Sequence, residues 1–496
     1  MSDIRVTYSG LIGLVVGLVS IFTGLIFTLI ITRTLTPEEY GTWSLIGSMI
    51  AYFIISEIIV SHWTLRQIAR GEDVGKTAVS TSLGFSLGAI PIYILYVTVV
   101  STQNDVEVNL MMLGAIILPV FFVSQTLESI NRGHKPHAKS FSMLTFETLK
   151  IPGVLAFVFF FDFGVVGIII AIIIAYIIKI GVQLYFARSK LRGTFQIETI
   201  KRWFKLSWIP LYYTLHRFIT NIDIVLYSII TGSVIGLAFY HAAFIIAGII
   251  SSSGLVSQAL LPKLLSGGSS KHIEDNFRLL LYFAIPLMTL AIIFSKPTLF
   301  ALNPLYKDAF VIVIFLSFKT FLAIINTIFY NILTGLETVD IEKNPAFSKL
   351  IKSKLFSVPS IALVHSIVYI AVLIITLVTL NAYGFEELEI VEWWAIVAFI
   401  SYIPVSVYLW YQVRKLVTLS FPYTSVAKFS IASVASGIVF FATSDYIITY
   451  EQSIYDFLPG LLLQAAICVG VYLGITLLID SKTRNLFKAI IREISF

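Results

Sequence analysis

Apolar runs long enough to cross a bilayer recur along this entire chain, and they leave little else for it to fold into. A helix needs roughly 20 apolar residues to span the hydrocarbon core. Runs of that kind begin near Ser9, Gly41, Lys76, Asn109, Phe141, Val165, Ser207, Ser233, Phe277, Ala309, Phe356, Trp393, Val426 and Phe457, fourteen in all. The 496 residues are 57% hydrophobic and 12% charged, with a mean hydropathy of +0.91, so no room remains for a large soluble domain. The first run, from about Ser9 to Ile31, exceeds a signal-peptide core and lacks a small-residue cleavage pattern, so it reads as a permanent span. Pro91, Pro119, Pro152, Pro210, Pro286 and Pro404 fall inside runs, which membrane bundles tolerate when neighbours satisfy the freed carbonyl.

Orientation follows from Lys and Arg, which concentrate on the cytoplasmic side. With the N-terminus inside, the inner side holds Arg66, Arg70, Lys76, Arg132, Lys135, Arg188, Lys190, Arg192, Lys201, Arg202 and Lys205, and later Lys349, Lys352, Arg414, Lys482 and Arg484. The outer side holds only Arg33, Lys296 and Lys307, and its loops are acidic at Asp105, Glu107, Glu386, Glu387 and Glu389. The expected fold is therefore all-α and integral to the cell membrane, with 14 transmembrane helices and both termini cytoplasmic. The net charge of +6 is scattered over short loops and forms no continuous patch, which excludes a nucleic-acid partner. Cys468 is the single cysteine, so no intramolecular disulfide forms.

Residues 34–44, T-L-T-P-E-E-Y-G-T-W-S, form the first outer turn. Thr36 fits an N-cap for the second span, with Pro37 at its first position and Glu38 and Glu39 facing the positive helix end. The construction returns between spans seven and eight, where Thr231 is again followed five residues later by a glycine, Gly236, and then by small and aromatic residues up to Tyr240. An offset of six spans preserves membrane orientation. It predicts two parallel six-helix lobes, residues 1–190 and 207–415, with two additional helices and a cytoplasmic tail in 422–496.

The wording of the first turn is similar to a family signature. I-T-R-T-L-T-P-E-E-Y-G-T-W-S (31–44) resembles the Wzx-type polysaccharide flippases, the polysaccharide-transport branch of the MOP exporter superfamily. Arg33 and Pro37 to Gly41 match that pattern, and Thr36 replaces its usual glycine. N-I-D-I-V-L-Y-S-I-I-T-G-S-V-I-G-L-A-F-Y (221–240) resembles a second motif, keeping Asp223 and Gly236 but carrying Asn221 where arginine is common. L-L-P-K-L (260–264) resembles a third. The segment 339–356 is longer and more charged than the resemblance leads one to expect. It reads either as an interfacial amphipathic helix or as a solvated loop. The resemblance implies a central cavity between lobes that holds the phosphorylated sugar head while the lipid tail stays in the bilayer.

Ionisable groups inside spans cost roughly 2.5–3.5 kcal/mol each on insertion scales, which makes them site candidates. Span seven is richest. Tyr213, His216, Arg217, Thr220 and Tyr227 share one face at helical spacing, with Asn221 and Asp223 at its edges. Arg217 lies ~15 Å from the cytoplasmic end at the helical rise per residue, near the midplane. It faces either a water-filled cavity, where its planar fork suits phosphate, or a buried acid such as Glu57 or Glu147. Tyr213, Thr220 and Asn221 have hydroxyls and an amide suited to sugars, and His216 is a candidate for proton coupling. Glu57, His241 and Lys319 are further cavity or gating candidates; Glu147 and Lys150, three apart, fit an internal ion pair. Lys179 reads as a residue near a helix end that can snorkel.

The chain encodes no phosphate-binding Gly-x4-Gly-Lys-Ser/Thr loop, no HExxH, no Cys/His metal cluster and no Asp-x-Asp acidic cluster in its outer loops. No enzymatic activity, metal or cofactor is expected. The expected function is flipping of a polyprenyl- or dolichyl-linked oligosaccharide from the cytoplasmic to the outer leaflet. Membrane lipids, a coupling ion (H+ or Na+) and glycan-assembly enzymes are the expected partners. The alternative is a drug/cation antiporter of the same superfamily, which favours an acidic cavity.

Overall fold

The computed structural model describes residues 6–35, 43, 46–47, 50, 53–101, 108–231, 235–267, 270–339, 346–417, 421–451 and 453–485. Most of the first outer turn (36–42), with the Thr36 cap, and the end of the C-terminal tail lie outside them. Among the described residues every regular element is helical, with no strand. The chain opens with α1 (Val6–Thr34), α2 (Glu57–Ala69), α3 (Gly75–Ser101), α4 (Val108–His134), α5 (His137–Phe160) and α6 (Gly164–Ala187). A short α7 (Ile197–Lys205) leads into α8 (Trp208–Thr220), α9 (Ile222–Thr231), α10 (Ile235–Gly248) and α11 (Leu260–Leu265). The remainder comprises α12 (Ser270–Ile293), α13 (Ser295–Leu302), α14 (Phe310–Gly335), α15 (Phe347–Lys352), α16 (Lys354–Ala382), α17 (Glu387–Leu416), α18 (Tyr423–Ile447) and α19 (Ile454–Ile479).

Eleven helical segments among the described residues are long and apolar enough to cross a membrane, and each overlaps an expected run. The other three expected spans are different cases. Span one is the 29-residue α1. Span two enters the described residues only in part and ends in α2. Span seven is interrupted at Asn221, between α8 and α9. The all-α membrane fold expected from the apolar runs is the fold observed.

Two compact units divide the chain. The first comprises Met1–Leu215, Gln258–Gly268 and Gly335–Phe356. Tyr93, Leu118, Phe122 and Ile169 form one core; Trp63, Leu127, Ile130, Trp203 and Leu350 form another. Beyond Pro152, which lacks the backbone donor, α5 ends as a π-helix over Leu155–Phe160. There Gly167 of α6 lets the helices close up, because a Cβ at that position would stand 2.7 Å from the Phe157 carbonyl oxygen. Within the charged segment 339–356, α15 buries Leu350 in the second core while Phe347, Lys349 and Lys352 stay exposed.

The second unit comprises His216–Ser257, Ser269–Thr334 and Ser357–Phe496. Here α10 tightens into a 3-10 helix over Ile249–Ser257, across the run Ser251-Ser252-Ser253-Gly254. Asn276 Nδ2 of α12 donates to the Val256 carbonyl at 3.0 Å, satisfying a backbone acceptor of that stretch. The last two long helices pack on α12 and α13 through Phe294, Phe440, Phe457 and Cys468. Polar bonds reinforce the contact, including Tyr472 Oη donating to the Tyr282 carbonyl at 2.6 Å.

Candidate functional site: polar clusters inside the spans

In the second unit, the break in span seven coincides with the polar residues singled out in the sequence. The His216 carbonyl accepts from Thr220 Oγ1 at 2.8 Å and from Ser366 Oγ of α16 at 3.1 Å. Hydroxyls that bond a helical carbonyl compete with the backbone ladder. One turn later the helix restarts at Ile222, directly before Asp223. Discontinuous helices of this kind line substrate and ion sites in transporters.

Asp223 is buried, and both of its carboxylate oxygens have partners. Oδ1 accepts from the Ile224 amide at 2.8 Å and Oδ2 from Tyr369 Oη at 2.8 Å. Trp394 Nε1 of α17 donates to the same Tyr369 oxygen at 2.8 Å. Tyr240 stacks on Trp394 with ring centroids 4.0 Å apart, and Tyr227 stacks on it at 5.4 Å. Lys319 Nζ of α14 stands 6.0 Å from the Tyr369 ring centre and interacts electrostatically with Asp223, as does His241. Among the described residues Lys319 Nζ makes no hydrogen bond or ion pair, and the Asp223 charge and the Tyr369 ring are what stabilise it there. Beside this network, His365 Nε2 pairs with Ser401 Oγ at 3.0 Å. Both line a groove of about 660 Å³ between α16 and α17, with walls of Val364, Val368 and Ile400.

The polar face expected on span seven is split. Asp223 and Tyr227 are buried and His216 and Thr220 are half-buried, whereas Arg217 and Asn221, one turn apart, are exposed. Asn221 N donates to the Arg217 carbonyl at 2.9 Å, and Arg217 interacts electrostatically with Tyr402. The side chain of Tyr213 lies outside the described part. Tyr369 and Trp394 have no counterpart in the sequence reading. Neither is ionisable in the ordinary range, and nothing in spans eleven and twelve marks them before they are brought to Asp223.

The first unit holds three further clusters. Glu57, 2% exposed, accepts from Ser61 Oγ at 2.5 Å and Thr126 Oγ1 at 2.7 Å. Glu147 pairs with Lys150 and accepts from Thr23 Oγ1 of α1 at 2.5 Å. Glu128 pairs with Lys139 at 2.9 Å and Lys179 at 3.7 Å. Lys179 is thus held by a carboxylate inside its unit rather than snorkelling. Glu128 itself is a carboxylate in an apolar run, the signal that would have marked it. No group of three or more His, Cys, Asp or Glu capable of holding a metal occurs among the described residues.

This arrangement of membrane helices is the transporter fold of the MATE proteins. A MATE transporter solved in a straight conformation superposes with TM-score 0.62 at 13% identity, covering 83% of this chain and 96% of that one. A MOP superfamily transporter from Pyrococcus furiosus gives the same TM-score, 0.62, at 13% identity over 83% and 96%. A mutant of the Vibrio cholerae MATE transporter VcmN gives 0.60 at 13% over 83% and 95%. No curated protein sequence matches significantly. Residues 8–266 match the family described as polysaccharide biosynthesis protein, and the chain belongs to that family, as its Wzx-type signature implied. It is a multi-pass membrane protein of that family with the fold of the MATE transporters.

Proposed function

We propose that the protein flips a lipid-linked oligosaccharide, carried on a polyprenyl or dolichyl phosphate or pyrophosphate, from the cytoplasmic to the outer leaflet by alternating access. The observation that carries this reading is Arg217, an exposed guanidinium about mid-way along a span, with Asn221 exposed one turn further on. A charge at that depth is not stable against hydrocarbon and calls for a water-filled path. A fixed guanidinium there attracts a phosphate and binds it through two parallel N–H donors. Asn221 and Thr220 add donors and acceptors for sugar hydroxyls. Family membership in polysaccharide biosynthesis supports the same substrate class.

An ion gradient drives net export in this reading, with Asp223, Lys319 and His216 as the groups whose charge state couples to it. Glycan-assembly enzymes supply the lipid-linked substrate. The test is flipping of a fluorescent lipid-linked oligosaccharide in proteoliposomes. Arg217→Ala is expected to lower the rate about tenfold or more and Arg217→Lys to retain part of it, since lysine keeps the charge but not the fork. Unchanged transport by Arg217→Ala removes the proposal, and a wild type that moves no lipid-linked sugar turns attention to the drug/cation antiporter.

A further inference from the structure

Inside the first unit, Glu128 and Glu147 are each balanced by lysine. Glu57 is not. It is 2% exposed and forms no ion pair among the described residues. The charge that acts on it electrostatically is another carboxylate, Glu128. A carboxylate buried in a span is costly until a positive charge compensates it.

What surrounds the carboxylate is oxygen. Ser61 Oγ, one turn further along α2, and Thr126 Oγ1 of α4, fully buried, both donate to Glu57 Oε1, at 2.5 and 2.7 Å. Glu57 Oε2 accepts no hydrogen bond among the described residues. Four oxygens from three side chains therefore meet at one point. A hydroxyl has one proton and two lone pairs, so Ser61 and Thr126 can keep their bonds to Oε1 and still offer a lone pair to an ion. The backbone is irregular at the same place: span two is a 3-10 helix over Ile54–Ser56 and turns α-helical at Glu57. A 3-10 stretch inside a longer helix often marks a functional point. At the helical rise per residue, Glu57 lies ~18 Å from the cytoplasmic end of α2, near the midplane where transporters hold coupling ions.

We propose that Glu57, Ser61 and Thr126 bind a sodium ion inside the first unit. An all-oxygen set selects a hard cation. One carboxylate balances a single positive charge, whereas a divalent ion would leave a surplus charge in the interior. Oxygens packed this closely suit sodium better than the larger potassium. The site stands whether or not the protein flips oligosaccharides; only the further step, that sodium is the ion whose gradient drives export, rests on that reading.

Equilibrium binding of radioactive sodium to the purified full-length protein in detergent, at neutral pH with choline chloride holding the ionic strength constant, reads the site directly. Saturable binding is expected, displaced by unlabelled sodium about tenfold more effectively than by potassium. Glu57→Gln, which keeps the volume and deletes the charge, is expected to weaken it about tenfold or more. Thr126→Val is expected to weaken it about twofold to tenfold, and Thr126→Ser, which restores the hydroxyl, to bind as wild type does, a rescue that a purely structural role would not produce. Sodium is expected to raise the thermal midpoint of the wild type but not that of Glu57→Gln. No saturable binding by the wild type, potassium displacing as well as sodium, or sodium binding that survives Glu57→Gln overturns the proposal. Flipping of a lipid-linked oligosaccharide that ignores a sodium gradient, with sodium binding intact, overturns the coupling step alone.

Discussion

The Asp223 carboxylate is 5% exposed, with one oxygen held by a backbone amide and the other by Tyr369. Lys319 supplies the opposite charge, and Trp394 fixes the Tyr369 hydroxyl so that its proton points at the carboxylate. The two charges make no direct ion pair, so removing one takes a nearby opposite charge away from the other in the interior, whereas neutralising both with side chains of similar volume costs less. Asp223→Ala is therefore expected to lower the thermal midpoint of the purified protein strongly. The double variant Asp223→Asn/Lys319→Met is expected to recover most of that loss in a double-mutant cycle. Losses that simply add would show that the two charges do not act on each other. Tyr369→Phe strands both the Trp394 indole donor and one Asp223 oxygen, and about 1–3 kcal/mol of destabilisation is expected, read in the same melts.

At the scale of elements, Gly236 links the motif to the packing. Its spacing from Thr231 marks the sequence echo, and a turn is the natural reading of a glycine there. In the structure it lies inside α10, buried, where an added Cβ would collide with the Tyr227 hydroxyl and stand 2.8 Å from Val391 Cγ2. Tyr227 has little freedom to move aside, being fully buried and stacked on Trp394. Gly236→Ala is expected to cost about 1–3 kcal/mol by overpacking, measurable as a lower thermal midpoint, while Gly248→Ala, which meets nothing within 4 Å, is expected to be close to neutral. Equal effects of the two substitutions would return Gly236 to the turn reading.

Apolar run length follows from bilayer thickness, so helix positions such as Lys354–Ala382 and Glu387–Leu416 could be read directly from the chain. At the break, the Ile224 amide goes to the Asp223 carboxylate, and the nearby His216 carbonyl accepts from Ser366, 150 residues away, a contact that no local pattern contains. The split between exposed Arg217 and buried Asp223 was hidden for the same reason, because helical spacing defines a face but not its neighbours.

At the scale of the whole molecule, α18 begins and α19 ends at a charge cluster, on the side that the Lys and Arg pattern of the sequence assigns to the cytoplasm. Asp480, 2% exposed, accepts from Thr483 Oγ1 at 2.6 Å, Thr483 N at 3.1 Å and Arg278 Nη1 of α12 at 3.1 Å, with Lys428 of α18 at 3.4 Å. Burial alone would push this carboxyl up, but the Thr483 bonds and the nearby Arg278 and Lys428 charges outweigh it and hold the carboxyl below its ordinary range. A carboxylate whose folded value is depressed adds stability above its unfolded value, about 4, and loses that contribution as the pH falls through the folded value. Asp480→Asn is thus expected to destabilise the protein by about 1–3 kcal/mol at pH 7, read as a lower thermal midpoint. The gap between variant and wild type is expected to narrow progressively in melts below about pH 4, because the wild-type carboxyl then becomes neutral as well. A gap that stays constant from pH 7 to the acid limit would mean that shape rather than charge at Asp480 holds these helices to α12.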